Sequence, residues 1–183
     1  MNGKEQAIEQ ITEFLKSDEK AIILTGTHQY KKHKLIMALL NKYYKNAKIL
    51  FRVNGMDNIT NEEFAGFVGI KKTPKSGEWI KVSNNYYAFD SLNRTTWRRS
   101  GNKFDFAILY PIDSAIRGNI NDVLEDLTKY KDIRKLFLVS WTDNKSYDYA
   151  TISKYYDRHV IYDAEEEEPA YHKRVSDMVN NRF

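Results

Sequence analysis

Short apolar runs alternate with helical patterns along most of the chain. Each run is too short for a buried helix and is rich in Ile, Leu, Val and aromatic residues, so a strand is the better interpretation. The five runs are residues 21–25, 47–53, 104–110, 135–141 and 159–162. Apolar residues recur at helical spacing in residues 3–16, 32–45, 119–130 and 146–156. This alternation predicts a three-layer α/β domain with a five-stranded, mainly parallel sheet covered on both faces.

The interval between the second and third predicted strands is long enough to hold an insertion. Residues 64–103 contain two alternating runs joined at Asn84-Asn85, a pair that tolerates the positive φ angles of a two-residue hairpin turn. We expect a short helix capped by Ser91 to follow this β-hairpin. The insertion belongs to the α/β core, so residues 1–183 are predicted to form one domain, which ends in an acidic linker and a C-terminal helix over 164–183.

Composition narrows the classes of protein that fit. Of 183 residues, 42% are hydrophobic and 30% are charged, which is ordinary for a globular domain with a core. No apolar run approaches the roughly 20 residues that span a bilayer, so we predict no membrane partner. The first ten residues lack the layout of a signal peptide, so we expect a cytoplasmic location. The absence of cysteine excludes disulfides, thiolate metal sites and cysteine nucleophiles.

The segment AIILTGTHQYKKHK, residues 21–34, has the strand, loop and helix order of a phosphate-binding loop. Against the pattern G-x-x-x-x-G-K-[S/T], Gly26 is the first glycine and Lys32 is the lysine. Lys31 replaces the second glycine, where the backbone needs unusual torsions, and His33 replaces the hydroxyl residue that would bind Mg²⁺. The alternative is a plain strand-to-helix turn with solvated lysines.

Two later segments extend the resemblance. FDFAILYPIDSA (104–115) is similar to a Walker B strand, and KLFLVSWTDN (135–144) to the strand that follows it. The chain therefore resembles a P-loop NTPase of the branch with an additional strand between the phosphate-loop strand and the Walker B strand. The resemblance implies a bound nucleotide such as ATP at Gly26, Lys31, Lys32, His33 and Asp113.

The Walker B segment departs from the pattern of an active enzyme. Such a strand ends in Asp for Mg²⁺, followed by Glu that orients the attacking water. Pro111 should end the strand at Tyr110. Aligned at the strand end, Tyr110 and Pro111 replace the acidic pair; aligned on the acid instead, Asp113 takes the metal position and Ser114 replaces the glutamate. Hydrolysis of ATP by the usual route is therefore not expected. Asp113 and Asp143 each follow a predicted strand and should face one crevice with the loop.

A basic segment suggests a second kind of site. In RTTWRR, residues 94–99, arginines for phosphate pairing surround a tryptophan that could stack on bases. The predicted nucleic-acid contacts are Arg94, Trp97, Arg98, Arg99 and Lys81. On the hairpin, Trp79, Tyr86 and Tyr87, with Lys71, Lys72 and Lys75, could extend this surface. The alternative is that the aromatic rings pack onto the domain and the basic residues form a solvated rim.

Three hypotheses about function follow. The first is a non-hydrolysing accessory protein that binds a protein partner or nucleic acid, with any nucleotide acting structurally. The second is an active ATPase or nucleotide kinase that uses Lys32 and Asp113. The third is a sequence-independent nucleic-acid-binding module. No metal site is predicted, because the four histidines lack metal-ligand spacing with acidic partners, and Glu165–Glu168 is expected to be a solvated linker.

Overall fold

A computed structural model describes residues 2–181, and a single seven-stranded sheet lies at its centre. The strands are β1 Ala21–Thr25, β2 Lys48–Val53, β3 Ile80–Val82, β4 Asn85–Ser91, β5 Lys103–Leu109, β6 Asp132–Val139 and β7 Arg158–Ile161. Their order is β3-β4-β2-β5-β6-β1-β7, and all neighbours are parallel except the β3–β4 hairpin. The predicted parallel α/β architecture is confirmed.

The predicted number of five strands was wrong because the hairpin joins the sheet. β4 pairs in parallel with the whole of β2, from Lys48 opposite Tyr86 to Val53 opposite Ser91. This places β4 inside the sheet and leaves β3 as its outermost strand. The segment predicted as an insertion, 64–103, therefore contributes two strands to the central layer.

Helices cover both faces of the sheet. They are α1 Lys4–Lys16, α2 Lys32–Tyr43, α3 Arg94–Trp97, α4 Ile112–Ile116, α5 Ile120–Glu125 and α6 Pro169–Asn181. One core cluster joins α1 and α2 to the sheet, and a second joins α3, α4 and α5 to the opposite face. Neighbouring residues of β2 show the division, since Phe51 belongs to the first cluster and Leu50 to the second. No helix within residues 2–181 has the length and apolar character needed to cross a membrane.

Three local predictions need correction. The hairpin turns at Ser83 and Asn84, with Ser83 at φ 57°, because the Asn85 side chain is buried and accepts the Ala47 N–H at 2.9 Å. Asn93 rather than Ser91 caps α3 by accepting the Thr95 N–H. The segment predicted as a helix over 146–156 contains two short 3-10 turns within Tyr149–Tyr155, separated by a kink at Ile152. Ile152 is its one buried residue, which is too little apolar surface to hold an amphipathic α-helix.

Candidate functional site

The strand order brings the residues predicted to form the nucleotide site to the carboxyl ends of three neighbouring strands. β6 lies between β1 and β5, so the carboxyl ends of these three parallel strands are adjacent. The β1–α2 loop starts at Gly26, Asp113 lies in α4 after β5, and Asp143 follows β6. The Gly26 N–H donates to Asp143 at 2.6 Å, which links two of these strand ends directly. This is the edge at which parallel α/β sheets bind ligands.

Gly26 is required by its surroundings as well as by its conformation. Its φ is +121°, a region that side chains disfavour, and an added Cβ would lie 2.2 Å from the Tyr162 carbonyl oxygen. The backbone after β7 therefore passes directly against the start of the loop. A glycine at this position has a purely structural explanation.

Lys32 is completely buried beneath the loop. Its ammonium donates to the carbonyl oxygens of Gly26 and Trp141, the latter at 3.4 Å. Burial lowers the pKa of Lys32, and the carboxylates of Asp143, Asp113 and Asp163 oppose this shift. The three carboxylates therefore favour the charged form of the lysine, while the direct partners of its ammonium are the two carbonyl oxygens.

The acidic segment 163–168, between β7 and α6, closes over the loop, and we call it the acidic strap. The Thr27 N–H donates to Asp163 at 2.9 Å, and the Thr27 hydroxyl accepts the Ala164 N–H at 2.8 Å. Lys31, half exposed, pairs with Glu168 at 3.0 Å. All four glutamates of 165–168 are exposed, and two of them, Glu167 and Glu168, also accept hydrogen bonds from residues of the loop.

His28 provides the deepest contact between loop and strap. The buried imidazole donates from Nε2 to Glu167 at 2.5 Å, and the Tyr162 hydroxyl donates to the same oxygen at 2.9 Å. Burial lowers the pKa of His28 in spite of Glu167, so the ring is neutral near pH 7. Burial acts to raise the pKa of Glu167, but the hydrogen bonds from Tyr162 and His28 lower it.

His33, at the predicted hydroxyl position, points into the core. Its ring stacks on Tyr110 with centroids 4.0 Å apart, and its Nε2 donates to the Phe64 carbonyl at 2.9 Å. Burial lowers the pKa of His33 to about 3, so the ring is neutral. The side chain is held by the aromatic cluster between the sheet and the 59–68 segment, away from the loop.

Asp113 is occupied by backbone donors. One oxygen accepts the Trp141 N–H at 2.7 Å and the other accepts the Thr142 N–H at 2.8 Å. Burial raises its pKa, while those two hydrogen bonds and the charge of Lys32 act to lower it. Asp113 therefore fastens α4 to the end of β6.

Asp143 is also satisfied within the chain. Besides the hydrogen bond from the Gly26 N–H, Asp143 accepts hydrogen bonds from the hydroxyl groups of Ser140 at 2.7 Å and Tyr149 at 3.1 Å. The cavity beside Gly26, Thr27 and Asp143 measures about 120 Å³ and is lined on its other side by α6. That volume is below the range of about 300–1,000 Å³ for small-molecule sites.

Sequence reasoning missed the strap residues Asp163 and Glu167. The acidic run was visible, but its position over the loop follows from β7 lying next to β1, so that the residues after the two strands meet. The contact between the strap and the loop could have been predicted, because the acidic run directly follows the last predicted strand and parallel strands end on the same side of the sheet.

The predicted nucleic-acid residues are divided between surface and core. Arg94, Arg98, Arg99 and Lys81 are exposed, and Arg94 pairs with Asp122. Trp97 is only 9% exposed, and its indole N–H donates to the Ser91 carbonyl at 2.7 Å. The structure therefore does not bring a stacking surface at Trp97 together with the arginines.

A buried charge cluster explains why Trp97 is in the core. The Arg52 guanidinium lies 4.5 Å from the centre of the Trp97 ring. The same guanidinium pairs with Asp90 at 2.8 Å and with Asp126 at 2.7 Å, and it is fully buried. Trp97 covers this cluster, so its ring serves the fold of the α3 side of the sheet.

Comparison with solved structures identifies the fold. The chain resembles the large terminase of a thermophilic bacteriophage in complex with ADP, with a TM-score of 0.58 and 10% identity over 95% of this chain and 48% of the terminase. A second crystal form of that terminase gives a TM-score of 0.60 and 9% identity over 97% and 50% of the two chains. No protein-family model and no curated protein matches the sequence. The chain spans about half the length of the terminase, and the likeness shows that the two share an α/β fold.

Proposed function

We propose that this protein is a P-loop NTPase-like accessory protein that acts by binding a protein partner or nucleic acid and does not hydrolyse nucleotide. The observation that carries the proposal is the occupation of the loop by the chain's own carboxylates. Asp143 and Asp163 accept the N–H groups of Gly26 and Thr27, and Glu167 accepts from His28.

These contacts take the place of a phosphate. A phosphate-binding loop works because successive N–H groups and a lysine converge on an anion. Here the first two N–H groups of the loop already bind carboxylates, and the Lys32 ammonium binds a carbonyl oxygen of the same loop. A nucleotide would have to displace the strap and would bring further negative charge next to Asp113, Asp143 and Asp163. Both effects oppose nucleotide binding.

The residues present do not fit a Mg²⁺–nucleotide complex as they are arranged. His33 is a nitrogen donor turned into the core, whereas Mg²⁺ requires oxygen ligands. Both oxygens of Asp113 accept backbone N–H groups, and the next residue is Ser114 rather than an acid. No carboxylate stands at the position from which the attacking water is normally oriented.

The second candidate is an active nucleotide-dependent enzyme, an ATPase or nucleotide kinase. It is favoured by one observation, that the bacteriophage terminase with this fold was crystallised in complex with ADP. In this chain, such an activity would require the strap to open and both Lys32 and Asp113 to exchange their present partners for nucleotide and metal.

Turnover of ATP by the purified protein separates the two. We expect no phosphate release above background and no rise in melting temperature with Mg·ATP at about 1 mM, because ligand stabilisation requires binding to the folded state. Lys32→Met serves as the test variant and Lys31→Met, at an exposed position of the same loop, as the matched control. Turnover of about 1 per second or more that Lys31→Met preserves, and that Lys32→Met lacks although its melting curve shows it to be folded, would refute the proposal.

A strap variant sharpens the experiment. Asp163→Asn with Glu167→Gln removes two negative charges from the loop and keeps the size of both side chains. If carboxylate occupation is what excludes nucleotide, this variant should bind Mg·ATP more tightly than the wild type while still failing to hydrolyse it. Hydrolysis by the strap variant would instead support the second candidate.

A further inference from the structure

We propose that the outer edge of the sheet, at β3, binds single-stranded nucleic acid, with Trp79 as the stacking surface and a lysine-lined groove for the phosphates. The inference rests on the proposed binding function and specifies its partner. It moves the predicted interface from Trp97, which is in the core, to a tryptophan that reaches the surface. We call this region the β3-edge surface, formed by residues 68–82 with Lys48.

The groove is the first half of this surface. An open cavity of about 630 Å³ runs along β3 and the segment that precedes it. Its basic lining residues are Lys71, Lys72, Lys75 and Lys81, all exposed. Within the described residues 2–181, none of these four forms an ion pair. The one acidic lining residue, Glu78, accepts the Lys75 backbone N–H at 2.9 Å.

Trp79 is the second half. Its side chain is 44% exposed, and the centre of its ring lies 5.8 Å from that of Phe104. The Lys48 ammonium lies 5.9 Å from the centre of the Trp79 ring. Lys48 and Lys81 both lie opposite Tyr86, in neighbouring strands on either side of β4, and therefore on the same face of the sheet. Trp79 is thus an exposed aromatic ring that is held in place by Phe104 and accompanied by cations.

This combination favours a single strand over other polyanions. Proteins that bind single strands without sequence preference pair a positively charged groove with aromatic rings on which the bases stack. The bases of a duplex are already stacked on one another, so they are not free to stack on the Trp79 ring as unpaired bases are. An acidic peptide would use the lysines but would leave Trp79 without a planar partner. Charge and aromatic surface together therefore indicate a partner with both phosphates and exposed bases.

Binding of a fluorescein-labelled oligo(dT) of about 15 nucleotides, followed by anisotropy at several salt concentrations, tests the inference. We expect Trp79→Ala to weaken binding about tenfold and Trp79→Tyr, which keeps a ring, to retain most of the affinity. The triple variant Lys71→Ala, Lys72→Ala, Lys75→Ala should reduce the slope of log K against log salt by about 2, since each phosphate contact contributes about 0.7.

Matched controls separate this surface from general charge. The triple variant Lys16→Ala, Lys145→Ala, Lys154→Ala removes the same charge from exposed positions elsewhere and should leave the slope unchanged. Melting temperatures close to that of the wild type show that each variant is folded. A duplex of the same length should bind more weakly and without dependence on Trp79, and polyglutamate should compete poorly.

Four outcomes would overturn the inference. The first two are no binding of the oligonucleotide at low salt, and equal binding by the wild type and Trp79→Ala. The other two are an equal decrease in the slope of log K against log salt for both triple lysine variants, and competition by polyglutamate as strong as that by unlabelled oligo(dT). Any of these would leave the proposed non-hydrolysing function intact, because that proposal is tested separately by ATP turnover and by the strap variant.

Discussion

Acid should destabilise this protein through His33. The unfolded imidazole has a pKa of 6.5, and burial in the folded state lowers it to about 3. Between these values the unfolded chain binds a proton that the folded chain does not, so stability falls as the pH falls. The contribution of the neutral His33 side chain to stability is complete above about pH 7, and it is lost progressively as the pH falls from the unfolded pKa toward the folded pKa.

The size of the effect follows from the unfolded pKa alone. At about pH 5 the solution is 1.5 units below 6.5, and each unit corresponds to about 1.4 kcal/mol. The free energy of unfolding should therefore decrease by about 2 kcal/mol between pH 7.5 and pH 5 on account of this one side chain. The result is insensitive to the folded value as long as His33 remains neutral at pH 5.

His33→Gln isolates this contribution. The Gln side chain does not titrate, and its amide can still donate to the Phe64 carbonyl that His33 contacts. His28 and His159 also have pKa values lowered by burial, so the wild type will show further acid sensitivity that the variant shares. Comparing the two proteins by urea unfolding at both pH values cancels that shared part.

The wild type should lose about 2 kcal/mol more than His33→Gln on acidification, although the variant starts about 1 kcal/mol less stable because it lacks the stack on Tyr110. Equal losses in the two proteins would refute the reasoning. They would mean that His33 is protonated in the folded state, and so lies outside the apolar stack, at the position where a phosphate loop has its hydroxyl residue.

Two further predictions test the loop backbone and the buried charges. Gly26→Ala should reduce the free energy of unfolding by about 2–5 kcal/mol, because the residue has a positive φ and the new Cβ would collide with the Tyr162 backbone. Gly55→Ala, at a residue with φ −158° and room for a Cβ, should change the free energy of unfolding by less than about 1 kcal/mol. Asp90→Ala should cost about 3–5 kcal/mol by leaving Arg52 partly unpaired in the core, whereas Arg94→Ala, which breaks an exposed pair, should cost at most about 1 kcal/mol. Urea unfolding at neutral pH measures both, and similar losses within either pair would contradict the respective assignment.

The parallel core of the sheet could be predicted because its signal is local. β1, β2, β5 and β6 each contain a short continuous buried run, as expected for strands covered on both faces, whereas β7, at the edge of the sheet, buries only Val160. The hairpin was recognised from its alternation, but its place in the sheet depends on the pairing of β4 with β2, which are distant in the sequence. Alternating residues predict a strand without predicting its neighbour, which is why two strands of the sheet were missed.

The two tryptophans near the basic segments show the same limit for the site. Trp79 and Trp97 both have lysine or arginine neighbours in the sequence, and nothing local separates them. The two tryptophans differ in their contact with Arg52, whose buried guanidinium on β2 is paired with two carboxylates and covered by the Trp97 ring. Trp79 contacts Phe104 and stays partly exposed.

The loop itself explains why its glycine and lysine do not identify a nucleotide site. Gly26 is needed because the backbone at Tyr162 leaves no room for a side chain. Lys32 has direct partners within the chain, the carbonyl oxygens of Gly26 and Trp141, and the charges of Asp113, Asp143 and Asp163 favour its protonated form. Both residues thus have structural roles that involve no phosphate. What distinguishes a phosphate loop from a loop that binds its own chain is whether carboxylates elsewhere in the fold can reach its N–H groups, and here the residues that follow β6 and β7 do so.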